Sequence, residues 1–459
     1  MKQQADVHPV DQLLPYRKLI PFGLQHVLVM AASPITSVFL VSKALGLSTE
    51  LTINLISATF LVCGIGSLLQ SFGPWKFGSR LPFVMVPGGA PIVLFLLIAQ
   101  QRDLQTATGA VILTAVFYFL AIPVFARCLK YFPRIVIGTM LLLVAVNLIK
   151  VYGAIIVGKP GAPGFADPVN IGLALATIGF TLVFARVLTG MAGQLSVLLG
   201  LLAGAAAAAV AGVMHFDGVI PGPIVSGPTL LPFGMPTFDL IAAIPLLLFS
   251  VVSMAEATGQ TIAVADVVGK EINPREIVPR TIRGDALMSL IGGFLGTSLI
   301  ITSGENIGIV RATGIKSRYV TATAGVILIL IALLAPLGRL ANAIPAPVVG
   351  GTAMVVFAII GTMGVDMLRQ VDLRSHENMF ILAGALAMGL IPIVVPGFYS
   401  QFSSNAQILL SNGLAMGVFT AIVLNILFHH LGKRKRAPGT PPPAEHAPEI
   451  KPAGTPVSQ

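Results

Sequence analysis

The sequence predicts an all-α polytopic membrane protein. Of its 459 residues, 55% are hydrophobic and only 10% are charged, and the mean hydropathy is +0.90. Soluble domains average about 25% charged residues, so this composition excludes an ordinary soluble enzyme. The apolar residues also form runs of roughly 20, the length that a helix needs to span a bilayer. The formal charge of +10 comes from basic residues in short loops, which indicates membrane topology rather than a nucleic-acid partner.

Fourteen apolar runs predict fourteen transmembrane segments, and both termini then lie on the same side. The runs lie near 21–44, 50–72, 80–100, 104–126, 134–157, 168–188, 190–214, 237–262, 283–299, 301–316, 318–338, 341–365, 376–396 and 407–430. The positive-inside rule makes that side cytoplasmic, because nearly all of the 28 lysine and arginine residues fall on it. The exceptions are Lys43, Arg102, Lys150, Lys159 and Arg339.

The fourteen segments divide into two sets of seven. Because seven is odd, the second set would lie inverted in the membrane, as in transporters built from inverted repeats. We therefore predict a cytoplasmic N-terminal segment 1–18, a first repeat 19–214, an outer connecting loop 215–236, a second repeat 237–430 and a Pro-rich, disordered cytoplasmic tail 431–459.

The third segment of each set is interrupted by glycine, proline and polar residues. Segment 3 contains the sequence 86–91, VPGGAP, and segment 10 contains 302–308, TSGENIG. Matching interruptions in two halves indicate the binding site of a transporter. We predict a short strand and a half-helix in each, with the N-terminal amides of the half-helices directed at the substrate. The alternative is that proline and glycine only kink ordinary spanning helices.

Few charged groups lie inside the apolar runs, and such groups are functional candidates by default. Glu256 is isolated in LLLFSVVSMAEATGQTIAVA, with Gln260 one helical turn further on. We predict that this carboxylate is protonated, paired or facing a polar cavity. The alternative role for Glu256 is a structural hydrogen bond between helices.

Glu305 and Asn306 lie in the second interruption and combine acceptors with donors. This pair suits a planar ligand that presents alternating N–H and C=O groups, while Ser303, Gly304 and Gly308 leave room for backbone to approach it. The alternative for the pair is a cap at the start of a helix.

Asp285 and the Gln25-His26 pair complete the set of intramembrane polar groups. Asp285 is expected to begin the ninth segment, either as a helix-start acid or as a gate or proton-coupling partner. His26 is either a packed histidine or a member of the site network with Glu256 and Glu305. No metal site, cofactor or catalytic residue is predicted, because the sequence has no H-E-x-x-H, Walker A or G-x-S-x-G motif.

The sequence from Glu305 to Gly314, ENIGIVRATG, resembles the signature of the nucleobase–ascorbate transporter family, [Q/E/P]-N-x-G-x-x-x-x-T-[R/K/G]. Gln25-His26 resembles the Q-H of the family's first segment, Glu256 its substrate-binding glutamate in segment 8, and Asp285 its aspartate in segment 9. The resemblance covers residues 20–430 and identifies the chain as a member of the uracil–xanthine permease type of nucleobase:cation symporter.

The resemblance implies a core domain and a gate domain, the latter made of segments 5–7 and 12–14 and often forming the contact of a homodimer. It implies that Glu256 and Glu305 hydrogen-bond the base and take part in proton coupling, that Asn306 and His26 support them, and that Gly89, Ser303 and Gly304 line the site. Gln25, Gln260, Gly308 and Thr313 would then be supporting residues. We predict proton-coupled import of an oxo-nucleobase across the bacterial inner membrane by an elevator-type movement.

Two departures from the family pattern affect the expected substrate. Gly89 stands near the position where members commonly carry an aromatic residue, so the aromatic surface for the base is either missing or supplied by another side chain such as Phe83. The signature begins with the Glu typical of uracil permeases and ends with the Thr-Gly typical of purine permeases. We therefore expect xanthine or urate ahead of uracil. The alternative function is an anion transporter of the same architecture, of the sulfate/chloride type.

Overall fold

The structure is a computed structural model that describes residues 7–128, 133–158, 160–161, 164–193, 195–214, 224–403, 406–407, 410–411 and 413–430. Within these ranges the chain is almost entirely helical, with a single sheet of two short strands. The predicted tail 431–459 and the first six residues lie outside the described residues.

The helices are numbered in chain order. Those before the connecting loop are α1 Tyr16–Met30, α2 Ala32–Leu45, α3 Thr49–Phe72, α4 Gly89–Gln101, α5 Leu104–Cys128, α6 Arg134–Val157, α7 Pro168–Val187, α8 Gly190–Gly193 and α9 Ser196–Val210. Those after it are α10 Leu240–Val268, α11 Pro274–Phe294, α12 Glu305–Thr313, α13 Arg318–Leu333, α14 Ala335–Ala343, α15 Ala346–Arg369, α16 His376–Val394 and α17 Gly413–Asn425, with a π-helical turn Ile426–His430. Strand β1 is Met85–Pro87 and strand β2 is Ile300–Thr302.

The structure supports an integral membrane protein. Across the described ranges, nine helical stretches are long and apolar enough to cross a bilayer, each at least 18 residues long. They coincide with nine of the predicted segments. The other five predicted segments contain shorter or more polar helices, namely α4, α9, α11, α12 and α13 with α14. The total of fourteen spans therefore stays a prediction.

The start of the ninth segment differs from the prediction. α11 begins at Pro274, where Asn273 caps the helix by accepting a hydrogen bond from the backbone N–H of Arg275. The apolar run begins later because the first turns carry charged side chains, which do not prevent helical hydrogen bonding. Asp285 is consequently a buried residue in the middle of α11 and not an acid at its start.

The helices pack in two groups. The first group contains α1–α5 and α10–α14, with its most extensive contacts between α3 and α13, α5 and α11, α1 and α13, and α5 and α10. The second group contains α6, α7, α9 and α15–α17, in which α6 packs on α15, α16 on α17 and α7 on α9. Glycines allow close approach within the first group: Cβ atoms added at Gly64 of α3 or Gly325 of α13 would each lie 2.7 Å from the other residue's carbonyl oxygen.

The two strands pair with each other in the interior of the first group. They are antiparallel, with Met85 opposite Thr302 and Pro87 opposite Ile300. Side chains of neighbouring helices bind further backbone groups of the strands: Ser67 accepts a hydrogen bond from the Met85 N–H, and Ser289 both accepts from and donates to the backbone of Ile300. Non-helical backbone at membrane depth requires such hydrogen bonds, because no water is present to supply them.

The segment 7–12 attaches the N-terminus to the first group. Asp11 forms ion pairs with Lys270, which follows α10, and with Arg318 at the start of α13. The Ser317 hydroxyl donates to the carbonyl of Gln12 at 2.7 Å, and the fully buried Val10 joins a cluster of apolar residues. Partial burial raises the pKa of Asp11, but hydrogen bonds and charge from Lys270 and Arg318 outweigh this effect and hold the pKa below its ordinary value of 3.8.

We expect Asp11→Asn to lower the free energy of unfolding by about 1 kcal/mol at neutral pH, as for a partly exposed ion-pair network. Since the folded-state pKa is lowered, the contribution is complete above pH 3.8 and is lost as the pH falls through the folded-state pKa. Thermal unfolding of the purified protein, measured from neutral pH to below pH 3.8, checks this expectation. Asp366→Asn, which breaks an exposed i,i+3 pair with Arg369, is the control and should change little. An equal effect of the two substitutions would contradict the expectation.

Candidate substrate-binding site

A small cavity lies where the strand pair meets the second group of helices. Its volume is about 80 Å³. The first group contributes both strands, the starts of the helices that follow them, and α10, while the second group contributes α6 and α15. The lining residues used below are Gly89, Phe249, Glu256, Gln260, Thr302, Ser303, Gly304 and Phe357. Five of the predicted site residues are therefore brought together: Gly89, Glu256, Gln260, Ser303 and Gly304.

Glu256 is the carboxylate of this cavity. Gln260, one turn further along α10, donates to its Oε1 at 3.1 Å. A Cβ atom at Gly304 would lie 3.0 Å from the amide nitrogen of Gln260, so glycine at this position makes room for the amide. The spacing of four residues thus places Glu256 and Gln260 on one face of α10. Because Gly304 has no side chain, the backbone between β2 and α12 approaches this face.

Two helices begin at the cavity. α4 starts at Gly89 directly after β1, and α12 starts at Glu305 directly after β2. Unpaired N–H groups at helix starts carry partial positive charge and donate readily to carbonyl oxygens or anions. Together with the Glu256 carboxylate, they could bind a ligand that presents both N–H and C=O groups. The side chain of Glu305 lies outside what the structure describes, so its predicted role stays a prediction.

Several predicted residues do not line the cavity. Asn306 is fully buried, and its amide donates to the carbonyl of Pro82, in the segment that precedes β1. Gln25 and His26 are buried on α1, which packs against α12 and α13. Among the described residues, the Gln25 amide and the Nδ1 atom of His26 have no hydrogen-bond partner. The predicted roles of Asn306, Gln25 and His26 at the substrate therefore stay predictions.

The end of the signature terminates a helix. The Thr313 hydroxyl accepts a hydrogen bond from the backbone N–H of Ile315, and Gly314 adopts a left-handed conformation with φ of 69° as the C-cap of α12. Gly308 is exposed on α12, and a Cβ atom there would meet nothing within 4 Å. The structure thus assigns Thr313 a role in helix termination.

Asp285 lies behind β2. Its Oδ1 accepts hydrogen bonds from the backbone N–H of Thr302 at 3.1 Å, from the Thr302 hydroxyl at 2.5 Å and from the Gln70 amide at 3.3 Å. Thr302 itself lines the cavity. Asp285 therefore contacts the wall of the site through one strand residue.

The aromatic residues of the cavity differ from the expected one. Phe83 is fully buried in a separate apolar cluster with Val264 and Val310. Phe249 of α10 and Phe357 of α15 line the cavity instead, and Phe357 stacks on Tyr152 with ring centroids 5.5 Å apart. No local pattern marks either phenylalanine as a site residue, since phenylalanines are common in apolar helices.

A larger cavity of about 780 Å³ lies between α1–α3, α9, α13 and α14. It is lined mainly by apolar side chains and contains none of the predicted site residues. We place the site in the smaller cavity because there the half-buried Glu256 and Gln260 meet the strand pair and the starts of α4 and α12, whereas Glu50, the carboxylate of the larger cavity, is exposed. Within the described ranges, no group of three or more His, Cys, Asp or Glu side chains could hold a metal ion.

Comparison with known proteins shows that the chain is a membrane permease and not an enzyme, and it gives the family. Residues 17–398 match the family described as Permease family, Xan_ur_permease. The chain belongs to this family, which confirms the resemblance to the nucleobase–ascorbate transporters.

Curated relatives match along nearly the whole chain. Uric acid permease PucJ of Bacillus subtilis is 31% identical over 91% of this chain and 94% of its own. Xanthine permease of Bacillus subtilis is 29% identical, covering 92% and 96%, and uric acid transporter UacT of Escherichia coli is 30% identical, covering 93% and 89%. Among solved structures, the transmembrane domain of the cyanobacterial bicarbonate transporter BicA is similar in fold, with a TM-score of 0.57 and 17% identity over 91% of this chain and 99% of that one.

Proposed function

We propose that this protein is a proton-coupled symporter that imports an oxo-purine, xanthine or urate, with uracil as the next candidate base. The observation that carries the proposal is the cavity at the strand pair, in which Glu256 and Gln260 face two helix starts. The printed names of the relatives support it. The relatives at 29–31% identity are uric acid permeases, a uric acid transporter, a xanthine permease and a nucleobase transporter, while a uracil permease is 26% and a second xanthine permease 25% identical.

The recognition follows from hydrogen-bonding capacity. A carboxylate accepts hydrogen bonds only, so Glu256 would bind ring N–H groups of the base. Backbone N–H groups at the starts of α4 and α12 would donate to its carbonyl oxygens. Phe249 and Phe357 supply the aromatic surface that Gly89 does not. Urate presents N–H and C=O groups on both rings, and xanthine presents N–H groups on both rings and C=O groups on the six-membered ring, which matches this arrangement.

The transport movement would be a displacement of the first group of helices, as core domain, against the second group, as gate domain. The cavity is lined by both groups, so relative movement would change the side from which it is open. We propose Glu256, Glu305, Asp285 and His26 as proton-coupling residues. The fourteen-span inverted repeat and the cytoplasmic termini form part of this proposal, and dimerisation through the gate domain stays a prediction.

The alternative is an anion transporter, since the solved structures similar in fold include a bicarbonate transporter. That likeness is at 17% identity and concerns the fold alone. Glu256 in the cavity also favours a ligand with N–H donors, which sulfate and chloride lack.

Thermal-shift measurements on the purified protein with urate, xanthine, uracil, ascorbate, bicarbonate and sulfate test the proposal. We expect stabilisation by urate or xanthine at micromolar concentration, and labelled uptake of the same base that a protonophore abolishes. Stabilisation by bicarbonate or sulfate alone would overturn the proposal in favour of the anion transporter.

A further inference from the structure

Gln70 is a fully buried amide near the end of α3, outside the cavity lining. Its Nε2 donates to the carbonyl of Thr281 at 3.0 Å, to the Thr302 hydroxyl at 3.1 Å and to Asp285 at 3.3 Å. Its Oε1 accepts from the backbone N–H and the hydroxyl of Ser79 at 3.1 and 3.4 Å. Both the nitrogen and the oxygen of the amide are therefore hydrogen-bonded.

These contacts join three parts of the site. Ser79 belongs to the segment that leads into β1, Thr281 and Asp285 belong to α11, and Thr302 is the last residue of β2. The Thr302 hydroxyl and backbone N–H both bind Asp285, and Gln70 donates to the same carboxylate oxygen. Buried polar networks of this kind fix geometry only when every member is satisfied.

Gly284 provides the space for the amide. A Cβ atom at this position would lie 2.5 Å from the Nε2 atom of Gln70, closer than such atoms pack. Alanine at this position would therefore displace the amide without changing its chemistry. The position of the amide thus depends on both Gln70 and Gly284, which are remote from each other in sequence.

We infer that Gln70 is a positioning residue that holds β2 at the wall of the substrate cavity and thereby sets the affinity for the base. The inference rests on the proposed function. Gln70 acts through Thr302 and Asp285, since it does not itself line the cavity.

The test compares Gln70→Leu and Gly284→Ala with two controls. Ser71→Ala removes a buried hydrogen bond to Thr321 of α13, one residue along the same helix, and Gly179→Ala adds a methyl group to a helix where nothing lies within 4 Å. We expect the KM for uptake of urate or xanthine to rise about tenfold in Gln70→Leu, the effect of one lost hydrogen bond to a charged group. The maximal rate per folded transporter should change less than twofold, and both controls should match the wild type.

Hydrogen exchange of the backbone amides at 300–303 gives a readout that needs no substrate. We expect faster exchange in Gln70→Leu and Gly284→Ala, and unchanged exchange in the controls. Unchanged KM and unchanged exchange in Gly284→Ala would overturn the inference, and this variant decides the question if Gln70→Leu does not fold. If the wild type transports neither base, the proposed function fails, whereas the exchange measurement still decides whether Gln70 positions the strand.

Discussion

Replacing Glu256 with glutamine should reduce binding of the transported base by 10- to 100-fold and abolish accumulation. The carboxylate accepts charge-assisted hydrogen bonds from ring N–H groups, each worth roughly 1.5–3 kcal/mol, and an amide accepts with one oxygen only. The new amide would also face the Gln260 amide that now donates to Glu256. Equilibrium binding on purified protein and labelled uptake in cells measure the two effects.

The matched control for this substitution is Glu271→Gln. Glu271 is an exposed residue in the connection between α10 and α11, close to Glu256 in sequence but not part of the cavity lining. Its substitution should leave binding and uptake unchanged. Wild-type affinity together with protonophore-sensitive accumulation in Glu256→Gln would show that the base is not bound by this carboxylate.

Asp285→Asn should separate binding from energy coupling. The asparagine oxygen can still accept from Thr302 and Gln70, so we expect the strand to stay in place and the base to bind within about threefold of the wild type. An amide does not exchange a proton, so accumulation should fall to equilibrium. Moving one proton charge through about 100 mV is worth roughly 2.3 kcal/mol, which corresponds to about 50-fold accumulation.

Exchange of labelled for unlabelled base across the membrane distinguishes these effects. We expect Asp285→Asn to retain exchange while losing accumulation, with Asp266→Asn, an exposed residue near the end of α10, behaving as the wild type. Full accumulation in Asp285→Asn would show that Asp285 does not take part in proton coupling. Loss of both exchange and binding would assign it a purely structural role.

Much of the site could be predicted because its signals are local. An isolated Glu256 in an apolar run marks a polar cavity, and the spacing to Gln260 places both on one helix face. Glycine and proline in two corresponding runs marked the places where the structure has β1 with α4 and β2 with α12. These inferences need only hydrophobicity, helical periodicity and backbone freedom.

Other features depend on tertiary contacts that no local pattern reveals. The start of α11 escaped prediction because its first turns are charged, and hydropathy reports burial and not helical hydrogen bonding. Phe249 and Phe357 come from opposite groups of helices, so their convergence depends on how the groups pack. A buried Gln70 could have been noticed as a polar residue in an apolar run, but Thr281, Asp285 and Thr302, three of the four hydrogen-bond partners of its side chain, lie more than 200 positions away in the sequence.

The segment 7–12 touches only the first group of helices where its ion pairs and hydrogen bonds are described, at Gly269, Lys270, Ser317 and Arg318. In contrast, the π-helical turn at 426–430 continues α17 of the second group. Of two fluorophores attached near Val7 and near His430, the first would therefore lie on the first group of helices and the second on the second group. Energy transfer between them would report the proposed displacement of the first group of helices against the second.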